Sequence, residues 1–388
     1  MFSTSFSPCS MATLFKTIAV VCVTSCLGDR SCPQVMAISI DVSDSFVYVA
    51  TDGGAGGYEA FPDVTRLQDG RLMAVFYAGY AHISPPNQPY PNGGRIGYSL
   101  SENEGVTWSQ PSMLYDTPSD DRDPSITQLA DGRLLGTYFH IDGGTWSIIS
   151  ENSGSSWSVP KQIAPGNYYT SSPVRELTSG RLVAPLYHEA GGVANGAVSI
   201  SDNGGDTWSA PIDFPNPNNI YFDAEVDVIE LDTGNFWAIQ RSSHFPAHST
   251  VSADEGATWS DPQSLGFVAH SPYLTRTTHG DLILLGYRGY HSLDGSGNAF
   301  TALRYSLDEC LTWSDPIVID TTAGAYPSMV NLNDGSVLIA YYEEGSGSNV
   351  RTRVLTISGI PEPSTVSLLA TGLMYTIGLT RRTQRKSG

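Results

Sequence analysis

The sequence predicts an all-β protein, a six-bladed β-propeller of four-stranded antiparallel blades, and three observations carry that expectation. A turn-like segment ending in Trp recurs five times at nearly constant spacing. Six short apolar hairpins run between and around these segments. The composition, with 39 Gly, 24 Pro and 20 Tyr in 388 residues and only 15% charged residues, favours short strands and tight turns over helices.

The five segments are Ser101–Trp108, Ser150–Trp157, Ser201–Trp208, Ser252–Trp259 and Ser306–Trp313, and their Trp residues are 49, 51, 51 and 54 positions apart. Asn103, Asn152, Asn203, Asp254 and Asp308 can accept backbone N–H groups in an Asx turn, the glycine two residues on supplies a positive φ, and the Trp packs the turn onto its blade. Cys310 stands where the other four segments have glycine, so the fifth turn is expected to be the most strained. These segments resemble the Asp box of sialidases and related propellers. The motif speaks for fold and hardly at all for catalysis, because it also occurs in non-catalytic propellers.

Between the boxes, each apolar strand–turn–strand unit reads as a hairpin, with turns at Asp69-Gly70, Asp131-Gly132, Ser179-Gly180, Thr233-Gly234, His279-Gly280 and Asp334-Gly335. The sixth blade is expected to be closed by Ser39–Val42 and Phe46–Val49, so that both chain ends meet in one sheet. Residues in a hairpin pair at constant sum, which sets Ala60 against Ala78, Arg122 against His140, Thr170 against His188, Glu225 against Arg241, His270 against Arg288 and Tyr326 against Tyr342. A one-residue slip in the first blade substitutes Tyr77 for Ala78. The map predicts a polar cluster at one channel mouth, on the face opposite the boxes, and such a cluster is the default ligand site of a propeller.

Over residues 38–358 the chain resembles the sialidases. Glu225 is similar to the family's glutamate before a hairpin turn, Arg241 matches an arginine of its carboxylate-binding triad, and Tyr326 in Tyr-Pro-Ser-Met resembles its catalytic tyrosine. The resemblance implies Tyr326 as nucleophile, Glu225 as its general base and Arg241 chiefly as a ligand-binding group. The departures are in the first blade, where Ala60-Phe61-Pro62 replaces the family's Arg-Ile-Pro and no Asp lies between Asp69 and Asp116 to serve as general acid. Arg122-Asp123-Pro124 offers a displaced arginine and carboxyl, with Asp123 preferred over His82 as the acid. Arg288 or Arg304 stands in for the third arginine. His188 and His270 complete the candidate sugar contacts, no zinc-ligand spacing is present, and no cofactor is expected. The run Asp120–Asp123 reads as part solvated loop and part channel rim.

Within residues 38–360 the net charge is −23 and Lys161 is the single lysine, which argues against a nucleic-acid partner. Four of the five cysteines precede residue 38, so no disulfide framework is expected in the folded body, and Cys310 reads as a small buried hydrophobe. Residues 1–37 carry Lys16 followed by the apolar run Ile18–Val23 and the small-residue site Val35-Met36-Ala37, the layout of a secretory signal. Val23-Thr24-Ser25-Cys26 offers a lipoprotein-type alternative. Residues 361–388 resemble a PEP-CTERM sorting signal: Pro361-Glu362-Pro363, the apolar stretch Val366–Leu379, then Arg381, Arg382, Arg385 and Lys386. That order implies export and association with the cell surface or membrane. Three functions stay open: a sialidase-like exo-glycosidase removing terminal sialic or other acidic sugars from glycans; a glycosidase or lyase of other specificity; and a non-catalytic carbohydrate-binding propeller.

Overall fold

The computed structural model describes residues 38–359, apart from 52–54, 142, 191–192, 243–244, 279–281, 293–296 and 346–347. The two terminal signals and the His279-Gly280 turn lie outside the described residues. All regular structure in the rest is antiparallel strand, arranged as six sheets.

Blade 1 is Tyr58–Arg66, Leu72–Gly79, Arg95–Ser101 and Ser112–Tyr115; blade 2 is Arg122–Gln128, Leu134–His140, Gly144–Ser150 and Lys161–Ala164. In blade 3 the innermost strand is split into Tyr168–Tyr169 and Arg175–Glu176, followed by Leu182–Ala190, Val193–Ser201 and Ile212–Asp213. Blade 4 is Ala224–Glu230, Phe236–Arg241, His248–Ser252 and Gln263–Ser264, and blade 5 is His270–Arg276, Ile283–Tyr290, Ala299–Ser306 and Ile317–Asp320. Blade 6 takes Gly324–Asn331, Val337–Glu343 and Asn349–Ser358 from the end of the chain, and its outer edge, Ser39–Val42 and Val47–Ala50, from the beginning. The six-bladed propeller is therefore closed within one sheet, in which strands from the two ends of the chain pair side by side.

The blade seams explain the spacing of the tryptophans. Trp108 packs into an apolar cluster shared by blades 6 and 1, Trp157 between blades 1 and 2, Trp208 between 2 and 3, Trp259 between 3 and 4, and Trp313 between 4 and 5. One repeat makes one equivalent contact, as the constant spacing requires. The seam between blades 5 and 6 has no box, and Ile40 of the amino-terminal strand fills it. Within each box the hydrogen bonds repeat as well: Gly105 N donates to Ser101 Oγ and Thr107 N to Asn103 Oδ1, both at 2.9 Å. Cys310 holds the glycine position at φ 65°.

A second periodic device lies at the last residue of each innermost strand. Gln128 accepts from Gln68 N, Glu176 from Ala130 N and Glu230 from Thr178 N, at 3.0, 2.7 and 2.9 Å. Asn331 accepts from Thr278 N at 3.1 Å, while Arg276 and Arg66 donate to the carbonyls of Glu230 and Asn331 at 3.3 and 3.0 Å. Each residue thus reaches the preceding blade, and the ring of contacts satisfies backbone groups at the hairpin turns. Register places the boxes at this same end: in blade 4, Phe236 pairs with both Glu230 and Ser252, whereas Arg241 pairs with Ala224 beside Glu225. The boxes and Glu225 are at opposite ends of the blade, as the strand parity predicts.

The pairing map needs one physical correction. The innermost strands of blades 1, 2, 4, 5 and 6 each carry a register shift, spanning Ala60/Asp63, Arg122/Ser125, Ala224/Val226, His270/Tyr273 and Ala325/Ser328. In four of the five the shift contains a residue followed by proline: Phe61, Asp123, Ser271 and Tyr326 sit at φ 51°, 45°, 47° and 44°. Proline withholds a ladder N–H, and strands accommodate it at bulges. The observed partners are therefore Ala60 with Tyr77, Arg122 with Phe139, Ala224 with Arg241, and Ala325 with Tyr342. His270 pairs with Arg288 as expected, and His188 pairs with Tyr168 rather than Thr170.

Candidate active site

The bulged innermost strands of blades 4, 5 and 6 bring together residues far apart in sequence. The Tyr326 hydroxyl donates to Glu225 Oε1 at 2.6 Å across 101 residues of chain. Arg241 Nη1 donates to both Glu225 oxygens at 2.6 and 2.7 Å, and Ser271 N approaches Oε2 at 3.3 Å. Glu225 is only 2% exposed. Burial alone raises its pKa, but the Arg241 guanidinium and the Tyr326 hydroxyl bring it below the ordinary glutamate value, so the carboxylate is charged. Burial, and then the Glu225 charge, push Tyr326 well above the ordinary phenol value, so the tyrosine is neutral at rest.

Asp123 is driven the other way. It is buried at 4% exposure, and desolvation lifts its pKa to about 7 against the pull of Arg122, whose guanidinium is 3.8 Å away. Glu225 and Asp120 add to the rise. Arg122 lies over the rings of Phe61 and Phe139 at 5.9 and 5.4 Å, an aromatic cradle for a buried cation. Asp120 and Asp121 are not solvated loop residues: both are buried, Asp120 accepting from Tyr77 Oη, Ser84 N and Gly94 N, and Asp121 from Thr117. They pin the 80–94 loop and the entry to blade 2.

Arg288 extends beneath the Tyr326 ring at 5.7 Å, donating to the Gly324 carbonyl and, at 3.0 Å, to Tyr342 Oη. Arg304 instead turns outward to Tyr287, Ser314 and Phe267. His82 approaches Tyr58 Oη at 3.2 Å and Phe61 at 5.0 Å, with burial and then Arg122 lowering its pKa. His270 stacks edge-on against Tyr290 at 4.8 Å, and burial followed by Arg241 lowers its pKa to about 3, leaving it neutral. His188 is directed to Tyr168 and to Asp213 on the outermost strand of blade 3. The neighbouring Tyr187 is the one whose field reaches Arg122 and Tyr326.

Several groups escape the pairing rule. Phe61 packs against Tyr326 at 4.7 Å, and Glu344 accepts from both Tyr58 and Tyr342 at 2.8 and 2.7 Å. One level deeper, Arg175 bonds Asp227 at 3.1 and 2.5 Å beside Tyr273, and Asp63 accepts from Val64 N and Ile126 N. The visible signal for the shifted residues was the repeated X-Pro within inner strands. Asp63 and Asp227 gave no sequence signal beyond a polar residue in an apolar strand. A cavity of about 520 Å³ lies at the opposite mouth. Its Gln128, Glu176, Glu230 and Asn331 are engaged in the inter-blade bonds described above, so cavity size does not locate the chemistry.

The profile of a family described as a BNR repeat-like domain matches residues 95–339. Among solved structures the chain is similar to a protein of unknown function from Dyadobacter fermentans, with 21% identity and a TM-score of 0.69, over 82% of this chain and 99% of that one. It is also similar to the NanB sialidase from Streptococcus pneumoniae, 16% identical with a TM-score of 0.65 over 81% and 71% of the two chains. The intramolecular trans-sialidase from Ruminococcus gnavus is 13% identical, with a TM-score of 0.64 over 82% and 98%. At these identities the likeness establishes a shared fold. No curated protein matches the sequence.

Proposed function

The chain belongs to the BNR repeat-like domain family, and from that premise we propose that it is an exo-acting, sialidase-like glycoside hydrolase that removes a terminal acidic sugar from glycans. The observation that carries the proposal is the 2.6 Å bond from the Tyr326 hydroxyl to a Glu225 carboxylate held charged by Arg241. In this reading Glu225 takes the proton of Tyr326 as its oxygen attacks the anomeric carbon. Asp123 gives its proton to the departing glycosidic oxygen. Water then attacks the glycosyl–tyrosine bond, with Asp123 accepting a proton and Glu225 returning one to Tyr326. A neutral tyrosine nucleophile, with the charged Glu225 paired to Arg241 behind it, suits an anionic sugar, because the attacking atom is not itself a carboxylate.

Arg288 and the displaced Arg122 are proposed to hold the acidic group, Arg241 being engaged with Glu225. His82, His270 and the rings of Phe61 and Tyr187 would line the sugar. The second reading, a glycosidase or lyase of other specificity, is favoured by Ala60 standing where the family has its first arginine, with the Phe61 ring beside Tyr326. Turnover of aryl glycosides by the purified full chain separates the readings. Release from an aryl sialoside supports the first, release from another aryl glycoside alone supports the second, and binding without release leaves a lectin-like propeller. Export, with residues 1–37 as signal and 361–388 as sorting segment, belongs to the same proposal. Fractionation that finds chains beginning at Met1 in the cytosol would contradict it.

A further inference from the structure

Beneath Asp123 the channel contains a small, largely enclosed cavity of about 10 Å³, lined by Asp63, Asp123, Ser171, Ser271, Tyr273 and Tyr326 among others. That volume admits about one water molecule, provided two or more polar groups face it. Three atoms of the lining residues meet that condition: Asp123 Oδ1, Ser171 Oγ and Ser271 Oγ are buried and have no hydrogen-bond partner in the protein. The cavity touches the candidate site through Asp123 and Tyr326, and the deeper layer through Asp63 and Tyr273. In that layer Asp63 and Asp227 face the one guanidinium of Arg175, so an ionised Asp63 leaves it a negative charge in excess. Asp63 accepts backbone N–H groups from Val64 and Ile126 at 2.9 and 2.8 Å and a bond from the Tyr273 hydroxyl, which leaves one of its four acceptor positions for a further donor.

We propose that this cavity seats one ordered water coupling Asp63 to Asp123, and that Asp63 is a positioning residue governing when the Asp123 carboxyl holds its proton. The proposal rests on the reading of Asp123 as the general acid. Asp123 faces Arg122 on its own strand, Asp120 before it, Glu225 from blade 4 and Tyr326 from blade 6. Asp63 faces Arg175 from blade 3 and Tyr273 from blade 5. An ionised Asp63 disfavours a second charge across the cavity, so the two carboxyls titrate as a linked pair. Both are pushed up to about 7, with burial the leading cause in each.

The test is a carbon-13 titration of the aspartate carboxyls in the full chain, the Asp123 signal being identified by its loss in Asp123→Asn. Asp63→Asn removes a like charge and is expected to lower the Asp123 midpoint by about one pH unit, a tenfold loss of proton affinity, moving the alkaline limb of turnover with it. Ser171→Val fills the cavity, expels the water and is expected to raise the midpoint, because the carboxylate loses its hydration. A crystal structure at high resolution is expected to show density for one water among Asp123, Ser171 and Ser271. An Asp123 midpoint unmoved in both variants, or a dry cavity, overturns the coupling; if Asp63→Asn does not fold, Ser171→Val decides alone. A coupled titration together with full turnover in Asp123→Asn would instead keep the coupling and remove the acid assignment.

Discussion

Glu225 and Asp123 are both almost wholly buried in one site, yet their partners drive them to opposite protonation states. Glu225 receives two bonds from Arg241 and one from Tyr326, which outweigh its desolvation, whereas Asp123 has only Arg122 at 3.8 Å and two carboxylates nearby. Groups whose surroundings separate their pKa values in this way suit base and acid roles. Turnover is therefore expected to fall as pH drops through the depressed Glu225 value, below the ordinary glutamate range, and to fall again as pH rises through about 7, where Asp123 loses its proton. A pH–rate profile checks both limbs. Arg241 needs a revised role, since the sequence suggested mainly a ligand contact. Arg241→Ala is expected to cost about 3–5 kcal/mol of stability by leaving a buried charge unpaired, measurable by denaturant unfolding, as well as lowering turnover. Glu225, Arg241 and Tyr326 were legible because each has a hairpin position and a family counterpart. Asp63, Asp227 and Glu344 were not, because their partners come from other blades or from a loop, beyond the reach of pairing within one hairpin.

The elements divide the same way. Box turns and hairpins are local, so their spacing and turn residues state them openly; bulges are local too, but their consequence is a change of facing that the constant-sum rule does not contain. Hence His140 was expected opposite Arg122, where Phe139 stands; in blade 3, whose innermost strand is split rather than bulged, His188 was expected in the site but Tyr187 is the residue that influences Arg122. The boxes also show how context decides a conformational cost. Cys310 adopts φ 65° with its thiol buried in the seam between blades 4 and 5. Gly105 at φ 81° has no such room, because an added Cβ would run into Leu338 of blade 6. Gly105→Cys, which copies the fifth box into the first, is expected to cost about 2–3 kcal/mol from left-handed backbone and overpacking combined. Denaturant unfolding that left stability unchanged would show that the seam yields.

At the scale of the molecule, convergence of the blades is what turns similar hairpins into a site, since Tyr326 of blade 6 meets Glu225 of blade 4 across the intervening blade 5. The amino-terminal strands complete blade 6, and Arg353 grips the turn between them, donating to Ser43 O and Asp44 O at 2.6 and 3.0 Å. Arg353→Ala is expected to cost about 2 kcal/mol, the worth of charged hydrogen bonds lost at a partly buried position, and to lower the melting temperature by a few degrees without changing the pH profile. Ring number, closure and face were readable because they follow from repeat count and strand parity. The depth of the polar channel was not, because it depends on how six blades converge on an axis. Tyr326 is proposed to attack the sugar with Glu225 as base. This step is tested most directly by acid-quenching turnover of an accepted aryl glycoside and mapping the peptides by mass spectrometry. One glycosyl residue is expected on Tyr326, absent from Tyr326→Phe, with turnover of Tyr326→Phe and Glu225→Gln each lower by at least about a hundredfold. Full turnover in Tyr326→Phe, with no adduct on the wild-type peptide, would contradict it.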